Sequence, residues 1–169
     1  FAFHAENETT RYAAATGAAE SHAKFVNAIY TLTGDYGCID NIARLGFFNC
    51  NLTNALIFKN ADQGIKGLLS ADDTRVSYYL TFDQSEKARL CGQYYDVEND
   101  LFFIKTLNRS YATAQSELDS NPDWKHAEFF WHEYERPTTI PAWITTCAKN
   151  YSSKGYTHCF PEDVMQYED

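Results

Sequence analysis

No stretch of this chain stays apolar for long. The longest runs, such as Ala55–Phe58 and Leu101–Ile104, fall far short of the roughly twenty residues a membrane-spanning helix needs. Basic residues are scarce. The chain has 14 Lys and Arg against 23 Asp and Glu, a formal charge of −9. That leaves no basic footprint for nucleic acid and no electrostatic pull toward anionic lipid. Methionine occurs once, at Met165, and residue 1 is Phe. This reads as a chain whose start has been removed, with any leader peptide already cleaved. No pair of cysteines is spaced C-x-x-C, which disfavours a zinc ribbon or a thioredoxin-like redox site. Neither a G-x-S-x-G elbow nor a G-x-G-x-x-G phosphate loop occurs, so hydrolase and nucleotide chemistry lack their usual carriers. The expectation is a protein that is not an enzyme and needs no cofactor.

What is present is enough for one packed domain. The chain has 169 residues, of which 44% are hydrophobic and 16% aromatic, and a chain of that size can bury a core. No repeat, low-complexity segment or linker divides it. Four N-x-S/T sequons begin at Asn7, Asn51, Asn108 and Asn150. Together they point to a secreted, extracellular glycoprotein. Five cysteines, Cys38, Cys50, Cys91, Cys147 and Cys159, suit two disulfides and one leftover thiol, and spacing alone leaves the pairing open.

Short alternating segments dominate the middle of the chain. A helix is expected from Ser21, which can cap its start. Strands are expected over Ala28–Thr33, Leu52–Phe58, Ile65–Ser70, Thr74–Phe82, Leu90–Val97, Leu101–Leu107 and His126–Tyr134, on period-2 patterning or short apolar content. Ala142–Tyr151 reads as a helix opened by Pro141 and closed by Gly155. The sum predicts a mostly β domain: an antiparallel meander or closed barrel with a helix at each end. A barrel of eight strands is just wide enough for one small ligand.

Several words in this order resemble the tick salivary lipocalins, the histamine-, serotonin- and eicosanoid-binding proteins of blood-feeding ticks. They are Cys38 followed by Phe58–Asp62, Phe82–Ser85 running into Cys91, Glu128–Trp131, and Ile140–Ala142 leading to Cys147 and then Cys159. Ser21–Thr33 is similar to that family's opening helix and first strand. The resemblance implies an eight-stranded antiparallel up-and-down barrel, a lipocalin. Residues 1–20 would be an N-terminal extension, 21–136 the helix and barrel, and 137–169 a C-terminal helix with a tied-down tail. It also implies disulfides Cys38–Cys159 and Cys91–Cys147, with Cys50 unpaired, and a salivary role in sequestering host mediators and dampening inflammation or immunity. Amine-binding members tend to show Asp after the Cys and a carboxylate two residues before the Trp. This chain has Gly92 and Phe129 there.

An aromatic in place of a carboxylate favours an apolar ligand, because a buried cation needs a partner. The expected ligand is therefore a sterol, fatty acid or eicosanoid, with a biogenic amine as the alternative and Glu128 as its carboxylate. The candidate lining is Tyr78, Tyr94, Tyr95, Phe102, Phe103, Phe129 and Trp131. Lys59, Lys87 and Arg89 could meet a ligand carboxylate. His126 and His132 lack H-E-x-x-H spacing, so no metal site is expected. The other class of function is a protein-interaction module. There a monomeric scaffold would present loops 83–90 and 108–124 to a host immune protein or cell surface, its acidic field steering basic partners.

Overall fold

The computed structural model describes residues 15–106, 116, 119, 120 and 140–165. Helix α1 spans Ala15–Thr33 and helix α2 Leu52–Asn60. Strand β1 spans Ile42–Ala43 and strand β2 Gly67–Ser70. Helix α3 spans Phe82–Cys91, strands β3 and β4 Gln93–Asp96 and Leu101–Lys105, and helix α4 Ile140–Ser153.

The four strands form one sheet in the order β1-β2-β4-β3. β1 and β2 run parallel, as do β2 and β4, and only β3 against β4 is antiparallel. The sheet among the described residues is small, mixed and open. The expected eight-stranded antiparallel barrel is therefore overturned, and with it the hollow cup that was to hold a ligand. A parallel pair cannot be joined by a tight turn; it needs a crossover, and α2 supplies the one between β1 and β2.

Three expected strands are helix or loop, each for a readable reason. Residues 28–33 alternate, but over a longer window Ala18, His22, Val26 and Ile29 recur at helical spacing, and all four are buried. The threonines do not break the helix, because Thr31 and Thr33 donate their hydroxyls back to the carbonyls of Asn27 and Ile29. Residues 52–58 begin with a cap: the Asn51 side chain accepts from the Asn54 amide at 2.8 Å. Asn54, Ala55 and Phe58 then face inward. Residues 74–81 are loop leading into α3, which opens on a reciprocal capping box between Thr81 and Gln84 and stops at Gly92, φ 88. The proposed interaction loop 83–90 is thus the body of α3. The strands expected at 65–70, 90–97 and 101–107 and the last helix are present within a few residues. The expected strand His126–Tyr134 lies outside the described residues. α1 starts at Ala15, inside the expected N-terminal extension.

One face of the sheet carries Ala43, Leu68, Leu101 and Phe103. It packs with Ala18 of α1, Ala55 and Phe58 of α2, and Ala88 of α3. The other face carries Ile42, Leu69 and Ile104, against which Val164 and Met165 pack. The C-terminal segment is held there by Glu162, which accepts from Lys66 Nζ and from Asn41 Nδ2, the latter at 2.9 Å. These two partners hold the Glu162 carboxyl below its ordinary range, Lys66 being the larger influence.

Candidate functional site

Of the expected ligand-lining aromatics, Tyr78, Tyr94, Tyr95, Phe102 and Phe103 are described, and none of them lines the grooves among the described residues. β3–β4 pairing sets Tyr94 opposite Phe103 and Tyr95 opposite Phe102, and neighbours along a strand point to opposite faces. Tyr94 leans on Phe103 with ring centroids 6.3 Å apart, whereas Tyr95 stacks on Phe102 at 4.5 Å. Phe102, Phe103 and Tyr78 are buried core side chains. Tyr78 and Tyr79 also pack on Phe103, at 5.9 and 5.6 Å. Their hydroxyls are committed: Tyr79 to Asp96 at 2.6 Å, Tyr94 accepting from Gln84 at 2.8 Å, and Tyr95 to Asp100 at 2.8 Å. Glu128, Phe129 and Trp131 lie outside the described residues.

The cations considered as carboxylate anchors are also engaged. Lys59 pairs with Asp100 at 3.1 Å and Arg89 with Glu86 at 3.1 Å. Lys87 lies over the Tyr94 ring, 5.6 Å from its centroid. Cys38, Cys50, Cys91 and Cys159 form no disulfide in this structure. Neither Cys38–Cys159 nor Cys91–Cys147 is closed in this structure, and the Cys147 side chain is not among those described. Cys50 is buried, and burial pushes its thiol up to about 12. Asn51 and Asn150 fall at the start of α2 and within α4. Asn7 and Asn108 lie outside the described residues. Among the described residues no cluster of His, Cys, Asp and Glu could hold a metal, and no helix is long and apolar enough to cross a membrane.

The candidate site lies between α1 and the end of α2. A groove of about 390 Å³ opens there, lined by His22, Val26, Asn27, Ile57, Asn60 and Asp62. That volume falls within the range of small-molecule sites. The space exists because α1 presents Ala19 and Ala23 to it, with Ala61 opposite. Small side chains leave room where larger ones would close the helix pair.

His22 forms the inner wall. It is 1% exposed, and its ring meets Phe58 edge-on at 6.0 Å and Phe25 at 6.4 Å. Burial pulls the imidazole below its ordinary value, and the nearby Asp62 charge only partly opposes this. The ring is therefore neutral at pH 7, with one nitrogen able to donate and one to accept.

Asp62 stands at the rim on a tight turn. Gly64 has no room for a side chain: a Cβ there would sit 1.9 Å from the Lys59 carbonyl oxygen. The Ile65 amide then bonds back to the Phe58 carbonyl at 3.2 Å. This fold-back holds the exposed Asp62 beside the C-terminus of α2, where the helix dipole is also negative. Among the described residues the lining contains no Lys or Arg, and Lys59, in the last turn of α2, is paired with Asp100. The rim is thus electronegative over an apolar and neutral-polar floor.

The sequence reading did not single out His22 or Asp62. The signal was present in the helical spacing of Ala18, His22, Val26 and Ile29 and in the Asp62-Gln63-Gly64 turn. No family model, curated protein or solved structure matches the chain.

Proposed function

We propose that this chain is a secreted binding protein that acts by holding a small ligand, and that its site is the α1–α2 groove. The ligand has an apolar body and a protonated amine. The observation that carries this reading is the placement of Asp62 and a buried His22 on one groove whose described lining holds no cation. A carboxylate ligand, such as a fatty acid or eicosanoid, would meet Asp62 and the negative end of α2 with no cation among the described lining residues to offset them. An ammonium would be attracted by both. Val26, Ile57 and the alanines supply the apolar contact, while Asn27 and Asn60 can hydrogen-bond the ligand's polar edge. The sequons support secretion.

Matched amine and acid ligands test the proposal. Calorimetric titration with phenethylamine and with 3-phenylpropionate should show binding of the amine alone. Asp62→Asn should weaken it roughly fivefold, on the order of 1 kcal/mol for an ion pair at a wet rim. Equal or stronger binding of the acid would refute the assignment, as would amine binding indifferent to Asp62→Asn.

A second reading, protein interaction, is favoured by one separate observation. Phe47 and Phe48 are consecutive aromatic residues at φ 56 and φ 53, a conformation that bulky side chains rarely adopt and that costs on the order of 1–3 kcal/mol per residue. The turn holds Phe47 58% exposed, while the Phe48 ring lies beneath the guanidiniums of Arg44 and Arg75 at 5.0 and 5.6 Å. Exposed aromatics beside arginine are the composition of binding hot spots. A pull-down that loses a partner on Phe47→Ser, with stability unchanged, would support this reading; retention of that partner would exclude this turn.

A further inference from the structure

We infer that Asn51 carries an N-linked glycan while serving as the N-cap of α2. The two tasks use different atoms of one side chain. Oδ1 accepts the Asn54 amide at 2.8 Å and so caps the helix. Nδ2, the atom that takes a glycan, makes no hydrogen bond among the described residues, and Asn51 is an exposed residue. The hydroxyl residue of the sequon, Thr53, is also exposed.

The chemistry is a transfer from a lipid-diphosphate-linked oligosaccharide. Nδ2 forms a bond to the anomeric carbon, the carbon–oxygen bond to the diphosphate breaks, and the amide gives up one proton as the lipid diphosphate leaves. The product is still a carboxamide, so its carbonyl oxygen remains available to Asn54 and the cap survives. Among the described sequons this arrangement is confined to Asn51. Asn150 is half-buried within α4, its carbonyl accepting from Ser153 Oγ at 2.7 Å.

The glycan also leaves the proposed ligand site open. Asn51 begins α2 and the groove lies at its other end, about 13 Å along the helix axis at 1.5 Å per residue. Sugar on Asn51 would instead cover the neighbouring Leu52, which is 38% exposed.

The inference rests on the secretory reading, and the experiment separates the two. Protein from its natural source is digested after glycosidase treatment in heavy-oxygen water, which marks every formerly glycosylated asparagine as labelled aspartate. The expected result is label at Asn51, at higher occupancy than at Asn150. Label at other sequons with Asn51 unmarked overturns the site and leaves secretion standing. Label at no sequon overturns the secretory reading and the site together. In a eukaryotic secretory host, Thr53→Ala should remove the glycan and keep the cap. Asn51→Asp should do the same, because aspartate is an equally good cap. Both variants should match the melting temperature of the deglycosylated parent, and a large drop in both would overturn the separation of cap from glycan.

Discussion

Tyr78 donates its hydroxyl to the Leu69 carbonyl at 2.6 Å while its own backbone sits in the left-handed region at φ 57. The same oxygen accepts the Leu45 amide at 3.4 Å, and the Tyr78 amide reaches the Phe48 carbonyl at 2.6 Å. One phenol thereby ties the turn after β1 to the central strand β2. Tyr78→Phe removes the hydroxyl and leaves a buried carbonyl and amide short of a partner. The expected loss is about 1–3 kcal/mol, seen as a lower urea midpoint with unchanged slope. A midpoint equal to the parent's would show that the phenol is not what holds the turn.

His22 makes stability pH-dependent. Its folded pKa lies below the ordinary 6.5, chiefly through burial. The unfolded chain therefore binds the proton more readily than the folded one. This contribution is fully present above pH 6.5 and declines as the pH falls through that value toward the folded pKa. The melting temperature should drop between pH 7.5 and pH 5, and His22→Gln should flatten that part of the curve. A slope identical in the variant would assign the effect to another group.

Gly64 fixes the turn that sets Asp62 at the rim. Any Cβ must displace the Lys59 carbonyl, since 1.9 Å is far inside contact distance. Gly64→Ala should destabilise the fold by about 1–3 kcal/mol, the usual cost of forced overpacking. It should also loosen exchange protection of the Ile65 amide. Unaltered protection there would mean that the turn tolerates the methyl group.

The cysteines should sort by access. Cys50 is 2% exposed and its thiol is pushed up to about 12, so iodoacetamide at pH 8 should leave it unmodified until the chain unfolds. Cys91 and Cys159 are exposed and should be alkylated in the folded protein freshly freed of reductant. Peptide mapping after a short pulse reads all three. Early labelling of Cys50 would contradict its burial.

How much of this was legible in the sequence depended on window length. Within the segments 90–97 and 101–107, joined by a turn-like trio, Gln93–Asp96 and Leu101–Lys105 are strands as expected, because both flank a hairpin and carry aromatic content, while Leu90 and Cys91 close helix α3. The last helix read correctly from Pro141 and Gly155. Ala28–Thr33 misled because six alternating residues carry less information than the helical stripe from Ala18 to Ile29. Leu52–Phe58 is an apolar run that fits a buried strand or a helix, and Asn51 as a cap would have decided it. At Thr81 the T-x-x-Q pattern announces a helix start, yet the alternation before it drew the reading toward a strand. With those three segments as strands a barrel follows whose lumen takes the aromatics, whereas Tyr78, Phe102 and Phe103 are packed into the core. The groove could not be read at all, since it depends on which alanines face each other across two helices.

The Glu162 clamp has a practical bearing on how the molecule can be shortened. Val164 and Met165 lie over Ile42, Leu69 and Ile104, and the bonds from Lys66 and Asn41 fasten that cover down. Cutting the chain at Phe160 would strip this cover from one side of the sheet and bare an oily surface that invites self-association.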